Sequence, residues 1–228
     1  AMFAAALALG MGKSLEDVRH GLQTFSSSIF QAPGRMNVFD EHPFRVILDY
    51  GHNAAAISSI SQLVDRLEVR GRRICVLAAP GDRRDEDIRA IASAASGPFG
   101  HYICKADDHR RGRGEDEVPL MLRAQLIEDG VPKDQIKVIP SETVAVKTAL
   151  EMGREGDLMV IFGDNIERCW QQVAGHEADD LPSAAAAKEA PSHGLVIDDP
   201  EAFMLEPGAE LVRDERGVRL ARVEEESD

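Results

Sequence analysis

A dense group of polar residues follows a short apolar run in the segment ILDYGHNA, residues 47–54. Asp49 can accept hydrogen bonds from ribose hydroxyl groups, and His52 can donate a hydrogen bond to a nucleotide or stack on it. Gly51 allows the backbone to turn sharply or to approach a ligand closely. Asn53 is well placed to cap the helix that follows, and taken alone it would be assigned only that structural role. The whole cluster nevertheless indicates a ligand-binding turn at the end of a strand.

Two more polar segments follow apolar runs in the same way. In APGDRRDED (79–87), Asp82 or Asp85 could cap the next helix, and the remaining acids would interact favourably with its N-terminus. These charges could equally belong to a helix start alone. The segment GDN (163–165) ends another apolar run. Polar groups at several strand ends indicate a site along one edge of a sheet.

The segment KADDHRRGRGE (105–115) carries charges of both signs. Its arginines could hold a carboxylate in a bidentate geometry, and its acids could hold a cationic group, so the loop could bind a zwitterionic substrate. A solvated loop is the alternative. The candidate substrate-binding residues are Asp107, Asp108, Arg111, Arg113 and Glu115.

The elements that would position these groups alternate along the chain. Five short apolar runs predict strands: RVILD (45–49), RICVLAA (73–79), HYICK (101–105), IKVI (136–139) and LMVIF (158–162). Helical stretches lie between and after them, at about 54–69, 84–96, 115–129, 142–153 and 165–174. This alternation predicts an α/β fold, a Rossmann-like three-layer domain over about 33–175 with a mostly parallel sheet. The run MNVFDE (36–41) is expected to pair antiparallel at an edge. Ligands of such sheets bind outside the carboxyl ends of the strands.

The two ends of the chain differ from this pattern. Residues 1–30 predict two helices, the second opened by a capping box at Ser14 and Asp17. We expect them to be the last helices of a truncated central domain that precedes the α/β domain. Residues 176–228 predict a linker followed by either a disordered acidic tail or a small β-hairpin that turns near 214–217, and the sequence leaves both open.

Composition excludes several classes of protein. The 228 residues carry a net charge of −14, but residues 176–228 hold 5 basic against 15 acidic residues, so most of the acidity lies at this end. No basic face interleaved with aromatic residues favours nucleic-acid binding, and no apolar run is long enough to span a membrane. Cysteine spacing indicates neither zinc nor disulfides, which favours a reduced, cytoplasmic environment. No metal site is expected within this chain.

The sequence contains no GxxxxGK[ST] phosphate-binding loop. The string GMGKS (10–14) shares its end, but it follows a predicted helix rather than a strand and lacks the first glycine. Any nucleotide triphosphate would therefore have to be held by another domain.

Five segments together resemble the C-terminal domain of the Mur ligase family, and most nearly its cyanophycin synthetase branch. They are PGRMNVF (33–39), VILDYGHNAAAI (46–57), PGDRRDEDI (80–88), RGRGE (111–115) and GDLMVIFGDNIERCW (156–170). FQAPGR…DYGHN is similar to the FQTPGR…DYAHNP element of that branch, with Gly51 for Ala and Ala54 for Pro. The likeness runs from about Phe3 to Gln172.

The resemblance implies an ATP-dependent amide ligase. Such enzymes phosphorylate a carboxylate, and an amine then attacks the acyl phosphate. The central domain would supply the phosphate loop and Mg²⁺, while this domain would close over ATP and bind the incoming amino acid. Arg35, Asp49, His52 and Asn53 would contact ATP, with Arg35 acting in catalysis. The loop 107–115 would lie near the amino-acid site, and in the cyanophycin branch that amino acid would be arginine, joined to poly-aspartate.

Two alternatives stay open at this point. One is a related ligase of the muramyl-peptide or folylpolyglutamate type with another substrate. The other is a nucleotide-binding or interaction domain without catalysis, which the replacement of Pro by Ala54 and the unfamiliar C-terminal segment allow. An upstream GxxxxGK[ST] domain in the parent reading frame would separate the ligases from the interaction domain.

Overall fold

The computed structural model describes residues 1–25 and 27–176 together with the backbone of two further strands, 209–214 and 217–222. The described residues fall into two compact units. One contains residues 1–25 and the two further strands, and the other contains residues 27–176. None of the described helices is both long enough and apolar enough to cross a membrane.

The larger unit is built on a six-stranded sheet in the order β1-β2-β6-β3-β4-β5. Only β1 runs antiparallel, against β2, and the other neighbours in this sheet are parallel. The strands are β1 (Asn37–Phe39), β2 (Arg45–Asp49), β3 (Arg73–Leu77), β4 (His101–Cys104), β5 (Ile136–Val138) and β6 (Leu158–Phe162). The structure thus confirms the predicted α/β class, the mostly parallel sheet and the antiparallel edge strand.

Five helices cover the two faces of this sheet. They are α3 (Ala54–Arg66), α4 (Asp85–Ala95), α5 (Glu117–Glu128), α6 (Glu142–Met152) and α7 (Ile166–Ala174). A single 3₁₀ turn, Lys133–Gln135, precedes β5. Apolar residues of α3, α4 and α5 form one core with the sheet, and those of α6 and α7 form a second. The domain therefore has three layers.

Alternation along the central strand β6 explains why two cores form. Leu158, Val160 and Phe162 belong to the core with α3, α4 and α5, whereas Met159 and Ile161 belong to the core with α6 and α7. All five are almost completely buried, which fits a strand covered on both faces. Burying a side chain of this size contributes about 1.5–3 kcal/mol, so the continuous apolar run specifies the central position.

The strand order places a crossover connection next to the carboxyl ends of β2, β6 and β3. The chain leaves β2, passes over β6 and continues at β3, and β6 is filled only by the last crossover. Crevices form at the carboxyl edge where such an order reverses. The loops after β2, β3, β4 and β6 therefore share this edge.

Side chains cap the N-termini of three helices that cover the sheet, α3, α6 and α7. Asn53, Ser141 and Asn165 each accept a hydrogen bond from a backbone N–H in the first turn of α3, α6 and α7. The expectation that Asp82 or Asp85 caps α4 is wrong. Arg84 stands at the cap position and makes no side-chain capping bond, because Asp85 is already the first helical residue.

The smaller unit contains α1 (Met2–Gly10) and α2 (Leu15–Thr24). Ser14 opens α2 with the predicted capping box: its Oγ accepts from Asp17 N, and the Asp17 carboxylate accepts from Ser14 N. The string GMGKS (10–14) begins at the last residue of α1, so it follows a helix rather than a strand, as predicted from the sequence.

The same unit contains strands β7 (Ala209–Asp214) and β8 (Gly217–Arg222), which pair antiparallel. This pairing corresponds to the hairpin alternative for the C-terminal segment. The strand-like pieces GLVID (194–198) and FMLEP (203–207) lie outside the described residues.

Candidate functional site

A shallow crevice lies at the carboxyl edge of the sheet, where the loops after four strands meet. Its walls come from the ends of β2, β3, β4 and β6, which brings together several of the segments singled out in the sequence. The lining residues are Tyr50, Gly51, His52, Ala78, Pro80, Asp107, Phe162, Gly163 and Asp164.

Asp49 sits at the end of β2 with its side chain almost fully buried. One carboxylate oxygen accepts a hydrogen bond from Met36 N at 2.9 Å and the other from Gly51 N at 2.7 Å. Tyr50 N adds a bond of 2.8 Å to Gly34 O. The carboxylate therefore fastens the turn before β1 to the end of β2, and an ATP contact by Asp49 stays a prediction.

Arg35 is presented on that fastened turn. Gly34 N donates to Asn37 Oδ1 at 2.6 Å, and Met36 holds a left-handed backbone conformation with φ 51°, which is unusual for a residue other than glycine. The Arg35 side chain is exposed and has no hydrogen bond or ion pair with the residues that the structure describes. Backbone strain beside an unpartnered arginine is typical of a functional position.

Gly34 is required at this turn for two reasons. Its φ of +69° favours glycine, and a Cβ there would lie only 2.8 Å from Ile166 Cγ1. The turn that presents Arg35 therefore packs directly on the start of α7.

His52 and Asn53 complete the β2 turn. His52 Nδ1 lies 3.0 Å from the carbonyl oxygen of Tyr50, so Nδ1–H donates and Nε2 is left as an acceptor. Asn53 Oδ1 accepts from Ala56 N at 2.9 Å, which is the capping role considered for it from the sequence. Of the two, His52 lines the crevice.

The loops after β3 and β4 are fastened together by two arginines that were predicted to bind substrate. Arg113 Nε donates to Gly81 O at 2.9 Å, and its Nη2 donates to Asp85 Oδ1 at 2.7 Å. Arg111 Nη1 donates to Asp82 Oδ2 at 2.6 Å, and this contact lowers the pKa of Asp82. Both guanidinium groups thus have protein partners already, and substrate contacts by them stay predictions.

The two remaining charges of this loop that were predicted to bind substrate are also paired. Glu115 lies 3.2 Å from Arg110 Nη2, and Asp108 Oδ2 accepts from Arg168 Nη1 at 2.7 Å. Arg168 lies on α7, far from this loop in sequence, so no local pattern indicated the pair.

Asp107 differs from its neighbours because its carboxylate accepts no hydrogen bond from the described residues. Its side chain is 11% exposed, and the nearest cation, Lys105 Nζ, lies 3.9 Å away. Burial raises the pKa of Asp107 to about 6; Lys105 acts in the opposite direction, while Asp164 and Glu142 raise it further. A partly buried carboxylate in a crevice, without a hydrogen bond from the described residues and with a raised pKa, is a binding-site candidate.

Three charged residues beneath the crevice were not anticipated as parts of the site. Lys105 and Glu142 are completely buried side chains whose charged atoms lie 2.8 Å apart, and Arg168 Nη2 donates to the same carboxylate. Lys105 gave the one signal available, a lysine that ends an apolar strand run. Glu142 resembled an ordinary first-turn acid of a helix.

Among the described residues no group of three His, Cys, Asp or Glu side chains is arranged to hold a metal ion. The residues of this crevice therefore do not fit a Mg²⁺ site.

The fold is a doubly wound α/β domain with a crevice at the carboxyl ends of its strands. The chain belongs to the Mur ligase family: residues 34–165, more than half of its length, match the family model described as Mur ligase, glutamate ligase domain.

Known relatives place this domain within longer proteins. The chain is 36% identical over 172 residues to a cyanophycin synthetase of Crocosphaera subtropica, which covers 74% of the chain and 19% of the relative. The chain thus spans about a fifth of the length of that relative.

Solved structures share the fold. A murein peptide ligase of Psychrobacter arcticus superposes with a TM-score of 0.55 at 17% identity, covering 75% of this chain and 35% of that one. A folylpolyglutamate synthase of Mycobacterium tuberculosis complexed with ADP and AMPPCP gives a TM-score of 0.52 at 19% identity, covering 72% and 36%.

Proposed function

We propose that this chain is the C-terminal, nucleotide-closing and amino-acid-binding domain of an ATP-dependent ligase that joins arginine to an aspartate side chain of a poly-aspartate chain. Membership of the Mur ligase family and the similarity to a cyanophycin synthetase support the class of reaction. The observation that carries the substrate class is Asp107, a largely but not fully buried carboxylate in the crevice without a hydrogen-bond partner among the described residues.

In the proposed reaction, a carboxylate oxygen of the acceptor attacks the γ-phosphorus of ATP, and ADP leaves. The amine nitrogen of the incoming amino acid then attacks the acyl carbon, inorganic phosphate leaves and the nitrogen loses a proton. Mg²⁺ and the phosphate loop would belong to a preceding central domain, because this chain has no GxxxxGK[ST] sequence.

Arg35 is the residue of this chain that would act on the phosphoryl group. Its side chain is exposed and makes no hydrogen bond or ion pair with any residue that the structure describes, and the turn that carries it is fixed by Asn37 and Asp49. A guanidinium delivered in this way stabilises charge on the transferring phosphoryl oxygens without reorganising during the reaction. Closure of the domain would also exclude water from the acyl phosphate.

Asp107 would receive the cationic group of the incoming amino acid. A guanidinium offers paired N–H donors that match a carboxylate, and it is more weakly hydrated than an ammonium group. Binding would give the carboxylate the hydrogen bonds that it lacks and would offset part of the cost of burying it. An amino acid with an uncharged side chain would leave the cost of burying Asp107 uncompensated. This favours arginine over amino acids with neutral or acidic side chains.

The test is the variant Asp107→Asn in the full-length parent enzyme. We expect the KM for arginine to rise about 10- to 100-fold, the size expected when one charged hydrogen-bonding partner is removed, while the KM for ATP changes less than about twofold. Steady-state phosphate release at saturating primer measures both constants. Asp116→Asn is the matched control, since Asp116 is an exposed carboxylate of the same loop that makes no side-chain bond at its helix cap. An unchanged KM for arginine would refute the assignment of Asp107.

A further inference from the structure

The carboxylate of Glu142 collects four donors from three different elements. Oε2 accepts from Asp164 N at 2.7 Å and lies 2.8 Å from Lys105 Nζ. Oε1 accepts from Asn165 N at 3.1 Å and from Arg168 Nη2. The side chain is completely buried, so these partners replace water entirely.

These bonds continue to the loop that carries Asp107. Asp164, whose backbone is held by Glu142, accepts from Asp108 N through its Oδ2 at 3.0 Å. Arg168 donates with one nitrogen to Glu142 and with another to Asp108 Oδ2 at 2.7 Å. The turn after β6 and the loop after β4 are therefore both tied to the same carboxylate.

The charges of this network favour the ionised form of Glu142. Burial alone would raise the pKa of Glu142, but the charge and hydrogen bond of Lys105 and the two backbone N–H groups lower it to about 2. Glu142 is therefore ionised at neutral pH. Lys105 Nζ lies 2.8 Å from the Glu142 carboxylate but 3.9 Å from the Asp107 carboxylate. Arg168 is paired with Glu142 and with Asp108. Lys105 Nζ thus lies closer to Glu142 than to Asp107, and the hydrogen bonds of Arg168 go to Glu142 and Asp108 rather than to Asp107.

We propose that Glu142 is a positioning residue that sets Asp107 and Asp164 in place for the incoming amino acid and keeps Lys105 and Arg168 from neutralising them. The part of this inference that concerns the incoming amino acid, its substrate half, rests on the proposed function. Its structural half, the fixing of two loops by one carboxylate, can be tested without any activity.

The first experiment measures backbone amide hydrogen exchange in the 228-residue chain. Glu142→Gln keeps the shape of the side chain but replaces an acceptor oxygen with an NH₂ group. We expect the amide of Asp164 or Asn165 to exchange at least 10-fold faster, while amides in β6 keep their rates. Glu151→Gln is the control, because Glu151 lies on the same helix but is exposed, in a loose pair with Lys147. Unchanged exchange at both amides would overturn the proposal.

The second experiment measures steady-state kinetics in the full-length enzyme with Glu142→Gln and with the charge-preserving Glu142→Asp. We expect Glu142→Gln to raise the KM for the amino acid at least 10-fold with the KM for ATP within about twofold, and Glu142→Asp to recover part of the loss. A general structural defect would instead lower kcat, through fewer folded molecules, and leave both KM values unchanged. That result would overturn the positioning role.

Should Glu142→Gln fail to fold, Glu142→Asp and Arg168→Lys take its place in both experiments, with the same expected split. If the wild-type enzyme shows no amino-acid-dependent turnover, the proposed function and the substrate half of this inference are refuted together. The exchange comparison then still decides whether Glu142 fixes the two loops.

Discussion

Asp107 holds a position that costs the protein stability. Its carboxylate is mostly buried, has no hydrogen bond within the described residues and lies near the carboxylates of Asp164 and Glu142. Burial of such a group is unfavourable unless a partner compensates it. This cost in stability can be explained if the partner of Asp107 is a ligand. The effect of Asp107 on stability and its effect on ligand binding can be measured separately.

The pH dependence of stability at Asp107 follows from the direction of its shift. The pKa rises from the usual 3.8 to about 6, so the folded protein binds the proton more tightly than the unfolded chain does. The contribution of Asp107 is therefore neutral below about pH 4 and becomes destabilising as pH rises towards and above 6. We expect Asp107→Asn to raise the free energy of unfolding at pH 7.5 by on the order of 1–3 kcal/mol, and to have little effect near pH 4.

Urea unfolding of the 228-residue chain at the two pH values measures this difference. The exposed Asp116→Asn should leave the free energy of unfolding unchanged within about 0.5 kcal/mol at both. Equal or lower stability of Asp107→Asn at pH 7.5 would mean that Asp107 is not destabilising in the folded protein.

Candidate site residues could be predicted from the sequence, but the residues that they contact could not. Asp49, His52 and Asp107 were recognised because each lies at or just beyond the end of an apolar run. That Asp49 binds Met36 N, and that Asp108 binds Arg168, could not be predicted, because these pairs join residues 13 and 60 positions apart. Charge pairing of this kind depends on the packed loops and not on any local spacing.

At the scale of the elements, the loops after β3 and β4 act as one piece. Arg113 links Gly81, Asp85 and Glu117 with bonds of 2.7–2.9 Å. Gly81 is buried in this contact, and a Cβ there would collide with the carbonyl oxygen of Arg110. The two loops can approach this closely because residue 81 has no side chain.

Gly81→Ala should therefore force the two loops apart. We expect it to lower the free energy of unfolding by on the order of 1–3 kcal/mol, as overpacking of a tight contact does, and to weaken the bonds of Arg113. Gly114→Ala is the control in the same loop, because its Cβ would meet nothing nearer than 3.8 Å. Chemical denaturation of both variants checks this, and equal stability of the two would contradict a close contact at Gly81.

The sheet and its helices were predictable because most strands are short apolar runs and each helix of the larger unit begins next to a polar residue. LMVIF became β6 without change of bounds, and Asn53 and Asn165 cap helices as their chemistry favours. The predicted cap of α4 was wrong because neither candidate acid is available for it. Asp85 is the first residue of the helix, and the Asp82 carboxylate accepts a hydrogen bond from Arg111 instead.

At the scale of the whole molecule, the smaller unit presents apolar side chains to solvent as far as its described residues extend. Phe3 is 92% exposed and Met2 76% exposed, and a groove of ≈ 630 Å³ lies between α1 and α2. We propose, as the sequence predicted, that these helices belong to a central domain that carries the phosphate loop. The chain spans 19% of the length of a cyanophycin synthetase relative, so that relative has ample sequence for such a domain.

The most direct test of the central claim is ATP-dependent phosphate release by the full-length parent protein, with arginine and a β-Asp-Arg primer both present or each omitted. We predict that release requires both and is lost in a folded Arg35→Ala variant, because Arg35 is proposed to stabilise the transferring phosphoryl group. Release with another amino acid in place of arginine would contradict the proposed substrate. Absence of release with any amino acid would contradict the ligase itself.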